Sequence, residues 1–153
     1  MLLRFSDGTA FTSGACHYIS RPAALGNRYV RPFLTVRVGD YAFDAAVDTG
    51  GFFLILTPDA ASSIQLNPAY GDPFVGLFLR GETYSGSLHR VELIIPAEHG
   101  ETLTIEVTAF VPDREFDGPP FLGWPLCLER FRFAFQPSVG DPYDEWFHFG
   151  PLD

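Results

Sequence analysis

The strongest structural signal in this sequence is a regular alternation of apolar and polar side chains at residues 103–111. The odd-numbered positions are Leu, Ile, Val, Ala and Val, whereas positions 104, 106 and 108 are Thr, Glu and Thr. Because successive side chains of a strand point to opposite faces, this period of two predicts a half-buried β-strand. Residues 33–38 alternate in the same way and end at Gly39-Asp40, which predicts a hairpin with a second strand over residues 41–47.

Composition also favours strands. The chain has 16 Phe and 6 Tyr, and its 15 Gly and 13 Pro supply frequent turns, so we expect a mainly β protein. A length of 153 residues without repeats or linker-like segments predicts a single domain. The other predicted strands cover residues 2–5, 53–56, 74–79, 84–95, 131–135 and 146–149, and the predicted helices cover residues 59–63 and 125–130.

Charge and cysteine content exclude some classes of function. The net charge of −9, with only 10 Lys and Arg residues, argues against a nucleic-acid partner. The first eleven residues lack a long apolar core, so no signal peptide or membrane span is expected, and this favours a cytoplasmic protein. Cys16 and Cys127 are too few for a disulfide framework, and we interpret both as structural thiols. Cys16-His17 as a nucleophile and its base is the alternative, although adjacent side chains seldom face each other.

Metal binding is not expected. His17, His89, His99 and His148 are scattered without the spacing of metal ligands and are interpreted as surface or turn residues. The acidic residues 141, 144 and 145 match no calcium-loop template.

Asp48-Thr49-Gly50 is the motif with most chemical content, because it follows the predicted hairpin at the end of a strand. Two carboxylates that share a proton can polarise a water molecule toward a peptide carbonyl. Such crowding needs little side-chain bulk beside the acid, which Gly50 supplies, and a hydroxyl to hold the turn, which Thr49 supplies. The sequence has no second copy of this motif, so if the motif serves such chemistry, the second acid must come from another chain. An ordinary turn at a strand end is the simpler alternative.

The order of these parts resembles the retropepsin-like aspartic proteases, the single-domain relatives of pepsin. Residues 32–39 (PFLTVRVG) and 45–50 (AAVDTG) resemble the first hairpin and catalytic loop of that family, and residues 121–123 (FLG) resemble its later hydrophobic-hydrophobic-Gly element. The resemblance covers residues 29–135 and implies a closed β-barrel of the acid-protease type with one or two short helices. Residues 1–28 and 136–153 would then extend the minimal unit of a single domain, 1–153.

The resemblance implies roles for five residues of the catalytic region. Asp48 would be the catalytic acid, and Thr49 would hydrogen-bond to the partner's loop across a two-fold axis. The backbone of Gly50 would help to bind peptide, Leu122 would pack beneath the loop, and Gly123 would support it.

The resemblance also implies a flap, which is a mobile hairpin that closes over the substrate and excludes water. The turn at residues 80–83 occupies the corresponding place, and Arg80 and Gly81 are its expected tip.

Gly51, Phe52 and Trp124 depart from the family pattern, in which Ala or Ser and then a small or acidic residue usually follow the Asp-Thr-Gly motif. Many retroviral members have an Arg after the second Gly and pair it with an acidic residue near the catalytic loop, whereas this chain has Trp124 and Phe52 there. We hypothesise that Phe52 and Trp124 form an apolar contact near a dimer interface, since packed apolar groups can replace a buried ion pair.

The function expected from the resemblance is that of a homodimeric aspartic endopeptidase acting on peptide or protein substrates, without metal or organic cofactor. A catalytically inactive binding or assembly module with the same fold is the alternative. Pairing with a different half-subunit also stays open.

Overall fold

The structure is a computed structural model that describes residues 2–22 and 29–153. The described residues form twelve strands, one α-helix (α1, Pro58–Ser63) and three short 3-10 helices (Pro68–Tyr70, Leu128–Arg130 and Pro142–Asp144). The strands are β1 (Gly14–His17), β2 (Ile19–Pro22), β3 (Val30–Val38), β4 (Tyr41–Val47), β5 (Leu54–Ile55), β6 (Asp72–Leu79), β7 (Glu82–Ile95), β8 (His99–Gly100), β9 (Leu103–Pro112), β10 (Phe121–Leu122), β11 (Phe131–Gln136) and β12 (Trp146–Pro151). The prediction of a mainly β chain is confirmed.

The larger sheet contains eight strands in the order β2-β3-β4-β10-β5-β9-β7-β6. The β3–β4 hairpin has the predicted two-residue turn, with Gly39 at a φ of 58° and Val38 opposite Tyr41. One residue pair, Arg37 opposite Ile94, joins β3 to β7. With this pair, the strand pairings run in a ring through β3, β4, β10, β5, β9 and β7.

The strand at residues 103–111 is confirmed as β9, but its C-terminal half is buried on both faces. Val107, Ala109 and Val111 belong to the larger hydrophobic cluster, whereas Phe110 points to the other side and belongs to a second cluster. A sheet that curls around two cores buries both faces of its middle strand, and a simple period of two does not reveal this.

The smaller sheet has the order β11-β12-β1-β8 and joins the two ends of the chain. β1 was not predicted, because its sequence GACH has no alternation and begins with glycine. Gly14 fits there because a Cβ atom would lie 2.2 Å from the carbonyl oxygen of Glu101 and 2.7 Å from the ring of Phe149. β2 was also missed. The predicted strand at residues 2–5 is wrong, since only an isolated bridge between Arg4 and Ala10 forms there.

The segments predicted to extend the minimal unit contribute core residues. Cys16 and Tyr18 at one end and Phe147 and Phe149 at the other belong to the same buried cluster as Leu34. The part of the predicted N-terminal extension at residues 23–28 lies outside the described residues.

The helix after the Asp48 motif begins as predicted. Thr57 is its N-cap and accepts a hydrogen bond from the backbone N–H of Ala60 at 3.1 Å, with Pro58 in the first turn. The helix predicted at residues 125–130 is wrong in extent, since only the 3-10 helix Leu128–Arg130 forms. Leu126 has a φ of 58°, and this left-handed conformation interrupts any longer right-handed helix. None of the helices in the described ranges has the length and apolar character that crossing a bilayer requires.

Candidate active site

Asp48 follows β4 directly, where the short strand β10 lies between β4 and β5. β10 is parallel to β4 and antiparallel to β5. The backbone N–H of Asp48 donates to the carbonyl oxygen of Leu122 at 2.9 Å, and Leu122 itself is fully buried. Two segments about seventy residues apart in sequence therefore fix the backbone from which the Asp48 side chain projects.

Gly123 allows the two segments to approach each other. A Cβ atom at residue 123 would lie 2.7 Å from backbone atoms of Gly51 and Phe52, which is too close for any side chain. At Gly50 a Cβ atom would lie 3.4 Å from Oδ1 of Asp48, an ordinary van der Waals distance. Within one chain, the residue that must lack a side chain is therefore Gly123, and not Gly50 as predicted.

The Asp48 carboxylate is half-buried, with 25% of the side chain exposed. Its Oδ1 accepts a hydrogen bond from the backbone N–H of Gly50 at 3.1 Å. A guanidinium nitrogen of Arg31 lies 3.5 Å from the same oxygen. The acid is therefore held by its own loop and by a cation on the neighbouring strand.

Arg31 was not among the site residues predicted from the sequence, although the hairpin register contains a signal for it. Val38 pairs with Tyr41 and Phe33 with Ala46, so a continued register sets Arg31 opposite Asp48. A two-residue turn fixes the register of a hairpin. Counting back from Gly39 would have placed an arginine beside the acid.

Thr49 is exposed, and its hydroxyl forms no hydrogen bond with residues 2–22 or 29–153. Its expected partner was the same loop of a second chain, and the geometry leaves the hydroxyl available for one.

The predicted flap corresponds to the hairpin of β6 and β7, with a two-residue turn at Arg80 and Gly81. Both residues have left-handed backbone conformations, with φ values of 53° and 84°, as a type I′ turn requires. Arg80 lines a cleft of about 180 Å³ together with Arg31, Asp48 and Gly51. We call this space the Asp48 cleft; its other lining residues are Gly50, Phe52, Ile55, Phe78, Leu79 and Phe121.

The β6–β7 hairpin is attached to the loop at residues 113–120. A guanidinium nitrogen of Arg80 donates to the carbonyl oxygen of Asp117. Arg114 donates to the carbonyl oxygen of Thr83 at 3.2 Å, lies 3.5 Å from a carboxylate oxygen of Glu82, and stacks over the ring of Tyr84 at 3.9 Å. These contacts hold the turn beside the cleft.

The rings of Phe52 and Trp124 pack against different neighbours within the chain. Phe52 lies 6.0 Å from the ring of Phe53, and Trp124 contacts Phe133 edge-on at 6.3 Å. The backbones of the two segments meet where the N–H of Trp124 donates to the carbonyl oxygen of Gly51 at 2.8 Å. The hypothesised ring contact is thus not made within one chain. Both rings remain partly exposed, at 51% and 43%.

Neither cysteine is a candidate nucleophile. Burial raises the pKa of the Cys16 and Cys127 thiols to about 12, so both stay protonated and unreactive near neutral pH. His17 does not serve Cys16: its Nδ1 lies 2.9 Å from Oε1 of Glu98, and its ring stacks on Trp146 at 3.8 Å.

One histidine departs from the expected surface position. His148 is 1% exposed, and its Nε2 lies 2.8 Å from Oε1 of Gln136. Burial lowers its pKa. Across the part of the chain that the structure describes, no three His, Cys, Asp or Glu side chains are grouped so that they could hold a metal ion.

The strand order and the position of the Asp48 loop give this chain a retropepsin-like fold. Among solved structures, it is similar to the crystal structure of a retropepsin-like aspartic protease from Rickettsia conorii, with a TM-score of 0.59 and 19% sequence identity. The similarity covers 90% of this chain and 91% of that chain. No protein-family model and no curated protein sequence matches this chain.

Proposed function

We propose that this chain is an aspartic endopeptidase that acts as a homodimer. In the dimer, two Asp48 carboxylates share one proton and activate water for attack on a peptide bond. An extended peptide lies between the Asp48 loop and the flap hairpin, with Arg80 and Gly81 at its tip.

The observation that carries the proposal is an accessible but incomplete acid site. Asp48 faces a cleft beneath the flap, and it is the one acid among the described residues that line this cleft. Water activation of this type needs two carboxylates within hydrogen-bond reach. The exposed Thr49 hydroxyl and the partly exposed rings of Phe52 and Trp124 surround the acid with a surface that suits a second copy of the loop.

Thr49, Gly50, Leu122 and Gly123 support the acid in this proposal. The carbonyl oxygen of Leu122 fixes the Asp48 backbone, Gly123 permits the close approach, and Gly50 donates to the carboxylate. The shared buried cluster of both chain ends favours one domain over residues 1–153.

Hydrolysis is tested with a mixed peptide library at several pH values from acidic to neutral. We expect cleavage by the parent, with a maximum below neutral pH, and none by Asp48→Asn. The control Asp40→Asn removes the same charge at the exposed β3–β4 turn and should cleave as the parent does. Silence of both the parent and Asp40→Asn would contradict the proposal.

Sedimentation supplies a second test, because a strict monomer at the assay concentration cannot bring two Asp48 residues together. Activity that appears only after a different subunit is added would replace the homodimer with a heterodimer.

A peptide-binding module without catalysis is the second candidate. The observation that favours it is the Arg31 guanidinium, which lies 3.5 Å from Oδ1 of Asp48. A cation at this place can stabilise the ionised Asp48 carboxylate, so this carboxylate does not need a second acid as its partner.

A further inference from the structure

The charge of the Asp48 cleft is opposite in sign to that of the whole chain. The protein carries 19 acidic residues and 10 Lys and Arg residues. The cleft nevertheless contains two cations, Arg31 and Arg80, and one acid, Asp48. The other side chains that line it are apolar: Phe52, Ile55, Phe78, Leu79 and Phe121. A small cleft with two guanidinium groups is suited to an anion.

Arg80 occupies a backbone position that does not favour arginine. Its φ of 53° is left-handed, a conformation that costs a residue with a Cβ atom about 1 kcal/mol and that Gly or Asn adopts more readily. Strain of this kind in a cleft points to a role for the side chain. The bond to the carbonyl oxygen of Asp117 anchors the guanidinium and leaves further N–H donors of the same group.

The N–H donors of the Arg31 guanidinium are also not all used by contacts with the described residues of the chain. Its contact with Asp48 is 3.5 Å, which is longer than an ordinary charge-assisted hydrogen bond, and 42% of its side chain is exposed. Guanidinium groups bind carboxylates through paired, parallel N–H donors. Arg31 therefore retains donors for a second carboxylate on the cleft side.

We infer that the Asp48 cleft selects extended peptides that carry a Glu or Asp side chain, whose carboxylate lies between Arg31 and Arg80. With a bound acidic side chain, the cleft holds two cations and two anions, so the charges balance. The apolar lining accommodates the neighbouring aliphatic or aromatic residues. This inference deepens the proposed function by naming its substrate class, but the binding it describes does not require hydrolysis.

The test measures binding to the Asp48→Asn variant, which leaves the peptides intact. The probes are fluorescent eight-residue apolar peptides in which a single Glu is placed at each position in turn, each matched with a Gln peptide. At neutral pH and low salt, we expect the Glu peptide to bind about tenfold more tightly than the Gln peptide at one or more positions. A charge-assisted hydrogen bond in a partly buried site gives a difference in affinity of about this size. Higher salt should reduce this ratio.

Variants of Arg80 and Arg90 test whether the Glu preference depends on the Asp48 cleft. In the same background, Arg80→Gln should lose most of the Glu preference, whereas Arg80→Lys should keep part of it, because the charge remains but the paired donors are lost. The control Arg90→Gln removes an exposed arginine of β7 that does not line the cleft, and it should keep the full preference. Thermal unfolding of each variant checks that the hairpin is intact.

Equal affinity for Glu and Gln peptides at every position, or no measurable binding of either, would overturn the inference. So would an equal loss in Arg80→Gln and Arg90→Gln. Cleavage by the parent without a Glu preference would preserve the endopeptidase and refute the inference. A Glu preference without cleavage would support the inference, contradict the endopeptidase and favour the binding module.

Discussion

At the scale of single residues, Gly123 is the position of the candidate site that least tolerates a side chain. A Cβ atom there would meet backbone atoms at 2.7 Å, and backbone cannot rotate away as a side-chain tip can. We expect Gly123→Ala to destabilise the protein by about 2 kcal/mol or more, which lowers the midpoint of thermal unfolding by about 4–8 °C. The matched control is Gly50→Ala. Its Cβ atom would sit at a normal contact distance, and Gly50 has no left-handed φ, so its midpoint should stay near that of the parent. Equal midpoints for the two variants would refute this account of the loop.

At the scale of elements, Arg114 links the loop at residues 113–120 to the β6–β7 hairpin, the proposed flap, through Glu82, Thr83 and Tyr84. Each contact is weak on its own, but all three hold the first residues of β7, directly after the turn. We expect Arg114→Met to raise amide hydrogen exchange at the flap tip about threefold to fivefold, because local opening becomes easier while the core is unchanged. Exchange in β9 should stay the same and serves as the internal reference. The control Arg90→Met removes a cation of β7 that lies beyond the part paired with β6. If its flap exchanges as fast as that of Arg114→Met, Arg114 has no specific role.

At the scale of the whole molecule, one buried histidine, His148, and one half-buried histidine, His89, make stability depend on pH. Burial lowers the pKa of His148, and it also lowers that of His89, where nearby Asp72 acts in the opposite direction. The unfolded chain, with histidines titrating at about 6.5, then binds more protons than the folded one as pH falls. The free energy of unfolding should therefore be highest above about pH 6.5 and decrease toward pH 5. Urea unfolding at pH 7.5, 6.0 and 5.0 measures this decrease, which should be smaller in His148→Gln. An equally steep decrease in that variant would show that His148 does not contribute.

Local sequence determined the parts of this protein whose signals lie within a few residues. The alternation around Leu34 gave β3, the Gly39-Asp40 turn gave its hairpin, and Thr57-Pro58 gave the start of the helix. Asp48-Thr49-Gly50 marked the candidate acid, and the same hairpin register would also have given Arg31.

Only the tertiary structure decided the rest, because the deciding contacts join residues far apart in the chain. β1 is a strand because β12 and β8 pair with it, although GACH has no strand pattern of its own. Phe110 is buried because a second hydrophobic cluster packs against the other face of the sheet. The Asp48 cleft forms where the hairpin tip at Arg80, the loop after β4 and the strand β10 converge. Local propensity acts between neighbours in sequence, whereas burial and pairing depend on which distant segments the fold brings together.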